Sequence, residues 1–149
     1  MRFYETYGKL KNISLSELLQ KKPEFAMRCK ALPIKLLFVF GSLAKEKLKP
    51  LSDIDIAVLF ETSYQFEDMS KLRAELEKLI GREDIDLAVL NTGSPLLAMQ
   101  VLHTGKLLYA ESERTFKQFR FQTYQKYLAS KDLRNNFFAL AKRAILRKV

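Results

Sequence analysis

Phe38-Val39-Phe40-Gly41-Ser42 and, ten residues on, Asp53-Ile54-Asp55-Ile56-Ala57-Val58-Leu59-Phe60 form the stretch on which the rest of the chain is organised. An apolar run ends in Gly-Ser, a basic turn follows, and two aspartates alternate with isoleucines at the head of a second apolar run. Side chains of a strand alternate faces, so Asp53 and Asp55 share one side while Ile54, Ile56 and Val58 share the other. The aliphatic side can bury. The carboxylates are left as neighbours at a strand end, with Cα atoms about 7 Å apart. Like charges this close call for a cation, and hard oxygen ligands suit Mg²⁺, which is commonly shared with substrate phosphates. Gly41 allows a tight turn, and Ser42 heads an expected helix whose free N–H groups attract phosphate.

Outward from this stretch, the pattern alternates strands with helices. A capping box at Ser14-Leu15-Ser16-Glu17 opens a helix, and Pro23 starts a second one that Pro33 closes. Apolar runs predict strands at Leu36–Phe40 and Asp53–Phe60, with a short helix over Ser42–Lys47 and a turn at Lys49–Ser52 between them. Glu61–Met69 reads as a polar loop. Leu72, Leu76, Leu79 and Ile80 mark a helix over Ser70–Ile80 that Gly81 stops.

Asp84-Ile85-Asp86-Leu87-Ala88-Val89-Leu90 then repeats the pattern of the Asp53 strand. It is expected to be a third strand of the same sheet, again with acid at the site end. Ser94-Pro95 opens a helix through His103, Gly105 stops it, and Lys106–Ala110 is a short strand. From Glu113 onward a helical stripe of Phe116, Phe119, Thr123, Tyr127, Leu133, Phe137, Leu140 and Ala144 continues to the end, with a break near Ser130-Lys131-Asp132. The expected fold class is therefore α/β (α+β): a small mixed sheet flanked by helices, in one domain of 149 residues with a core about 34–110 and a C-terminal helical extension about 113–149.

The combination Gly41-Ser42, ten residues, Asp53-x-Asp55 resembles the signature of the minimal nucleotidyltransferases, small members of the DNA polymerase β-like superfamily. Many of these are encoded beside a HEPN-domain toxin and act as its antitoxin. The resemblance runs from about Leu36 to Tyr109. It implies the polymerase β-like fold, with Gly41 and Ser42 holding the triphosphate of ATP and two Mg²⁺ on Asp53, Asp55 and Asp86. Asp86 is then the third acid and the general base, although Asp84 has the same strand parity and remains the alternative. Lys45 and Ser52 complete the nucleotide side. Family members often carry a basic residue two positions after the glycine, where this chain has Leu43, and Lys45 is the nearest replacement.

The activity implied is Mg-dependent transfer of AMP from ATP to a tyrosine hydroxyl of a HEPN ribonuclease toxin. Two alternatives stay open: an antitoxin that neutralises its HEPN partner by contact alone, and a nucleotidyltransferase acting on a small-molecule hydroxyl.

Composition narrows the remaining classes. With 48% hydrophobic and 29% charged residues the chain has a globular balance. No apolar run is long enough to span a bilayer, and Met1-Arg2-Phe3-Tyr4-Glu5 lacks the apolar core of a signal peptide, so no membrane association and a cytoplasmic location are expected. Cys29 alone cannot form an internal disulfide and is expected as a small buried hydrophobe. His103, the single histidine, fits a helix C-terminus better than a ligand set, and there is no Cys/His cluster for zinc. The net charge of +9 is concentrated late, with ten Lys/Arg against three Asp/Glu in residues 111–149. The aromatic stripe there favours a protein partner over nucleic acid as the tail's target, and a homo-oligomer stays open.

Overall fold

The computed structural model describes residues 12–47 and 52–147, and for parts of the last helix only the backbone. The turn expected at Lys49–Ser52 lies mostly outside the described residues, as do the side chains of Leu133, Phe137 and Leu140.

Two short helices, α1 (Leu15–Gln20) and α2 (Lys22–Lys30), lead into β1 (Ile34–Phe40). A single helical turn, α3 (Gly41–Ala44), precedes β2 (Ile54–Phe60). Then come α4 (Phe66–Ile80), β3 (Ile85–Val89), α5 (Pro95–Thr104), β4 (Lys106–Ala110), α6 (Glu113–Ala129) and α7 (Lys131–Arg147). The strands form one mixed sheet in the order β3-β2-β1-β4. β1 runs antiparallel to both β2 and β4, and β2 pairs parallel with β3. α4 supplies the crossover that a parallel pair requires.

Alternation along the strands divides the core in two. Leu37, Val39, Ile54, Ile56, Val58 and Phe60 pack with Leu18, Phe25, Leu72, Leu76 and Ile80 beneath α1, α2 and α4. Leu36, Phe38 and Ala57 face Ala98, Val101 and Phe119 beneath α5 and α6. The rings of Phe116 and Phe119 stand 6.2 and 6.1 Å from that of Phe38. The first half of the aromatic stripe therefore closes the chain's own core. Cys29 is buried as expected, and burial pushes its thiol pKa up to about 12, so it stays protonated.

Several elements are as the sequence predicts. Ser14 accepts from the Glu17 N–H, Ser94 from the Leu97 N–H, and Gly81 ends α4 with φ 77°. β4 has the expected bounds, and the long tail breaks after Ser130. Several boundaries differ, most by a single residue, and three of the differences have a clear local cause. β1 starts at Ile34, because Ile34 already pairs with Phe60. α4 starts at Phe66, where the Asp68 carboxylate accepts from the Gln65 N–H at 2.8 Å and closes the first turn.

α3 is the third difference. It stops at Ala44 rather than Lys47, and it begins at Gly41 with Phe40 as its cap, so Ser42 is not the capping residue. It ends in a Schellman motif: Lys47 N–H donates to the Ser42 carbonyl at 2.8 Å and Glu46 N–H to the Leu43 carbonyl at 3.0 Å. Glu46 occupies the left-handed position of that motif, at φ 58°. A side chain there costs about 1 kcal/mol that glycine avoids. Glu46→Gly is therefore expected to raise stability by about 0.5 kcal/mol, once glycine's greater unfolded-state freedom is subtracted. The denaturation midpoint measures it, and a lower midpoint would contradict this account of the turn.

Candidate functional site

The strand ends around Gly41 bring the expected residues together by register. Asp55 is the Cα partner of Phe40 across β1–β2 and of Asp86 across β2–β3. In a parallel pair, residues in register point to the same face, so Asp55 and Asp86 stand side by side on the face that carries Ala57 and Ala88. Asp53 lies one residue ahead of β2 and is exposed, Asp55 is half-buried, and Asp86 is exposed.

Gly41 makes the close approach to these acids possible. Its φ is 70°, and a Cβ at this position would overlap Asp55 Oδ2 and lie 3.0 Å from Asp55 Cγ. The glycine thus supplies both the turn and the space for the carboxylate. Ser42 is half-buried in α3, and Lys45 is exposed at its C-cap. Ser52 is half-buried, and its carbonyl accepts from Arg82 Nη2 at 3.1 Å. With α3 reduced to one turn, its dipole is weak, and backbone N–H groups and the Ser42 hydroxyl are what it offers an anion.

The electrostatics of the acids are mutually unfavourable. Burial first, then the negative charges of Asp86 and Asp53, push the Asp55 pKa above the ordinary carboxylate value. Among the described residues no three His, Cys, Asp or Glu side chains stand close enough to hold an ion without adjustment. Mutual repulsion opposes close approach of the three carboxylates, and a cation among them would offset it. Their all-oxygen donor set fits a hard divalent ion.

Asp84 does not join this group. It precedes β3, and its carboxylate is taken by Arg82, whose Nε donates to Oδ1 at 2.8 Å and whose Nη2 donates to Oδ2. Leu43 is 2% exposed and belongs to the core beneath α1, α2 and α4, so this position serves packing. His103 is exposed on the last turn of α5. Sequence reasoning missed Arg82 and Arg73. Arg73 donates from α4 to the Ile85 carbonyl at 2.5 Å. The arginine of Gly81-Arg82-Glu83-Asp84 gives no local sign that it is buried.

Comparison with known proteins agrees with this geometry. The sequence profile of the family described as polymerase beta, nucleotidyltransferase matches residues 14–114. A Methanocaldococcus jannaschii protein, named as a candidate protein adenylyltransferase, is 37% identical over 70 residues, which cover 47% of this chain and 74% of the relative. A chain in a toxin–antitoxin crystal structure with AMP-PNP is similar at TM-score 0.66 and 25% identity, over 83% of this chain and 98% of its own. The complex of a tri-AMPylated Shewanella oneidensis HEPN toxin with an MNT antitoxin contains a chain of the same fold. There the TM-score is 0.62 and the identity 22%, over 84% of this chain and 98% of that one. With the sheet, the paired strand ends and a profile over most of its length in agreement, the chain belongs to the polymerase β family of nucleotidyltransferases.

Proposed function

We propose that this nucleotidyltransferase is an antitoxin that transfers AMP from ATP to a tyrosine hydroxyl of a HEPN-domain ribonuclease toxin, and so neutralises it. The observation that carries the reading is the pairing of Asp55 with Asp86 in register, with Gly41 against the Asp55 carboxylate. The name of the archaeal relative and the nucleotide and HEPN toxin in the similar structures support the choice of donor and partner.

Asp53, Asp55 and Asp86 would hold two Mg²⁺. When bound, the ions supply positive charge against the phosphates and lower the pKa of the acceptor hydroxyl. Gly41 leaves room for the triphosphate, the Ser42 hydroxyl donates to it, and Lys45 and Ser52 flank it. The acceptor oxygen bonds to the α-phosphorus as the bond from that phosphorus to the bridging oxygen breaks. Pyrophosphate departs with that oxygen. The hydroxyl proton passes to the Asp86 carboxylate, which is exposed and can release it to water.

Among the described residues no helix is long and apolar enough to cross a membrane. A cytoplasmic site of action fits an antitoxin that meets its toxin as both are made. The second half of the aromatic stripe is where the partner is expected to touch. Phe138, adjacent in sequence to Phe137 of that stripe, is 54% exposed on α7, and Lys142 and Arg143 one turn further on are also exposed.

The test is to incubate the chain with α-labelled ATP and a HEPN protein, with Mg²⁺ or with EDTA. Label is expected on a toxin tyrosine only when metal is present. Inhibition of the ribonuclease without label would establish the contact-only antitoxin instead. Equal ATP affinity with and without Mg²⁺ would overturn the metal assignment.

A further inference from the structure

Arg82 and Thr123 are the buried polar residues among the described ones, and Arg82 is the charged one, at 4% exposure. Burying a guanidinium is costly unless its donors are satisfied, and here they are directed to one place. Nε and Nη2 fork onto the Asp84 carboxylate, and Nη2 also reaches the Ser52 carbonyl. Beside this fork the Ile54 N–H donates to the Asp84 carbonyl at 2.9 Å, and Arg73 holds the Ile85 carbonyl. The bonded residues are Ser52, Ile54, Asp84 and Ile85. Ser52 and Ile54 flank Asp53, and Ile85 directly precedes Asp86.

We propose that Arg82 is a positioning residue: by tying Asp84 to Ser52 it fixes the register that sets Asp86 beside Asp55, without itself touching substrate. The reason lies in the topology. Among the described residues β3 is an edge strand with a ladder on one side only. A slip of one residue against β2 would move Asp86 to the opposite face of the sheet. The far end of the pair has its own fastening. The Asn91 side chain accepts from the Phe60 N–H at 2.9 Å and donates to the Phe60 carbonyl at 2.8 Å, taking the place of two ladder bonds. At the near end, Arg82 does the corresponding work through a side chain. Its planar fork spans a carboxylate and a carbonyl, which a lysine ammonium cannot reproduce.

The consequence for catalysis rests on the function proposed above, so the test includes a measurement that does not depend on it. Arg82→Met, Arg82→Lys and Asp84→Asn are compared with the parent by amide hydrogen exchange, by Mn²⁺ affinity from water proton relaxation without nucleotide, and by kcat and KM. Exchange at Ile54 and along β3 is expected to quicken by about tenfold or more, while β1 amides change only as global stability does. Mn²⁺ affinity is expected to fall by about 10- to 100-fold, as when groups orienting metal ligands are lost. kcat should drop while KM for ATP moves less, and Arg82→Lys should recover part of the loss. Should Arg82→Met not fold, Arg82→Lys and Asp84→Asn carry the comparison. Exchange at Ile54 and β3 that rises only in step with β1 would overturn the proposal and leave Arg82 as a general stabiliser. A parent that binds no Mn²⁺ would remove the proposed function, while the exchange result would still decide the positioning role.

Discussion

Asp55→Asn is expected to lower nucleotidyl transfer by about 100-fold or more, while the metal-free protein melts no lower than the parent. A hundredfold loss corresponds to about 2.7 kcal/mol of transition-state stabilisation, a reasonable measure for one charged group among three. The stability half follows from the direction of the pKa shift. Burial, then Asp86 and Asp53, raise the Asp55 pKa, so the fold favours the protonated carboxyl. That contribution is fully present below the unfolded carboxylate pKa and is lost as pH rises through the raised native value. At neutral pH the native state therefore holds an unfavourable charge, which the amide does not carry. Melts in EDTA from about pH 4 to about pH 7 should show the parent losing stability relative to the variant as pH rises. A variant melting far below the parent at neutral pH would make Asp55 a structural residue. Retained transfer would remove it from the site.

Gly41→Ala is expected to have a similar effect on activity for a different reason. The backbone at φ 70° is strained for alanine by about 1 kcal/mol, and the new methyl group overlaps the Asp55 carboxylate. The carboxylate is the free end of a side chain, so it can swing aside. The fold is then expected to survive with about 1–2 kcal/mol lost, while the acid is driven out of line with Asp86. A displacement of about 1 Å at a reacting centre can cost about 100-fold in rate. The informative comparison is with Asp55→Asn. If Gly41→Ala acts through Asp55, the double variant should be little worse than either single one, because coupled residues are not additive. Losses that multiply would assign Gly41 a separate role at the phosphates.

What could be read from the sequence was what depends on alternation. Asp53-Ile54-Asp55-Ile56 fixes which side chains bury, and the matching Asp84–Leu90 run pointed to Asp84 and Asp86 alike, between which the family resemblance chose Asp86. β4 and the break after Ser130 were bounded by strong local signals. Local signals failed where the decisive partner is distant or the first turn is polar. Phe66 is 77% exposed and begins α4 without an apolar stripe, so the carboxylate of Asp68, not periodicity, sets that start. Parity alone could not separate Asp84 from Asp86. The structure shows the Asp84 carboxylate ion-paired with Arg82, which favours Asp86 as the third acid. Leu43 stood out as a departure from the family pattern, whereas the structure gives it an ordinary place in the core.

The strand order has a further consequence, for solubility. Among the described residues β3 and β4 are the two margins of the sheet, each five residues long. Such margins offer unpaired backbone groups to any other extended chain, and short length and charge are what discourage that pairing. β3 carries Asp86 and β4 carries Lys106, both exposed. When two copies align β3 against β3, carboxylates of like sign are brought together. Asp86, proposed above as the third acid of the site, thus also sets a charge on that margin of the kind that discourages edge pairing.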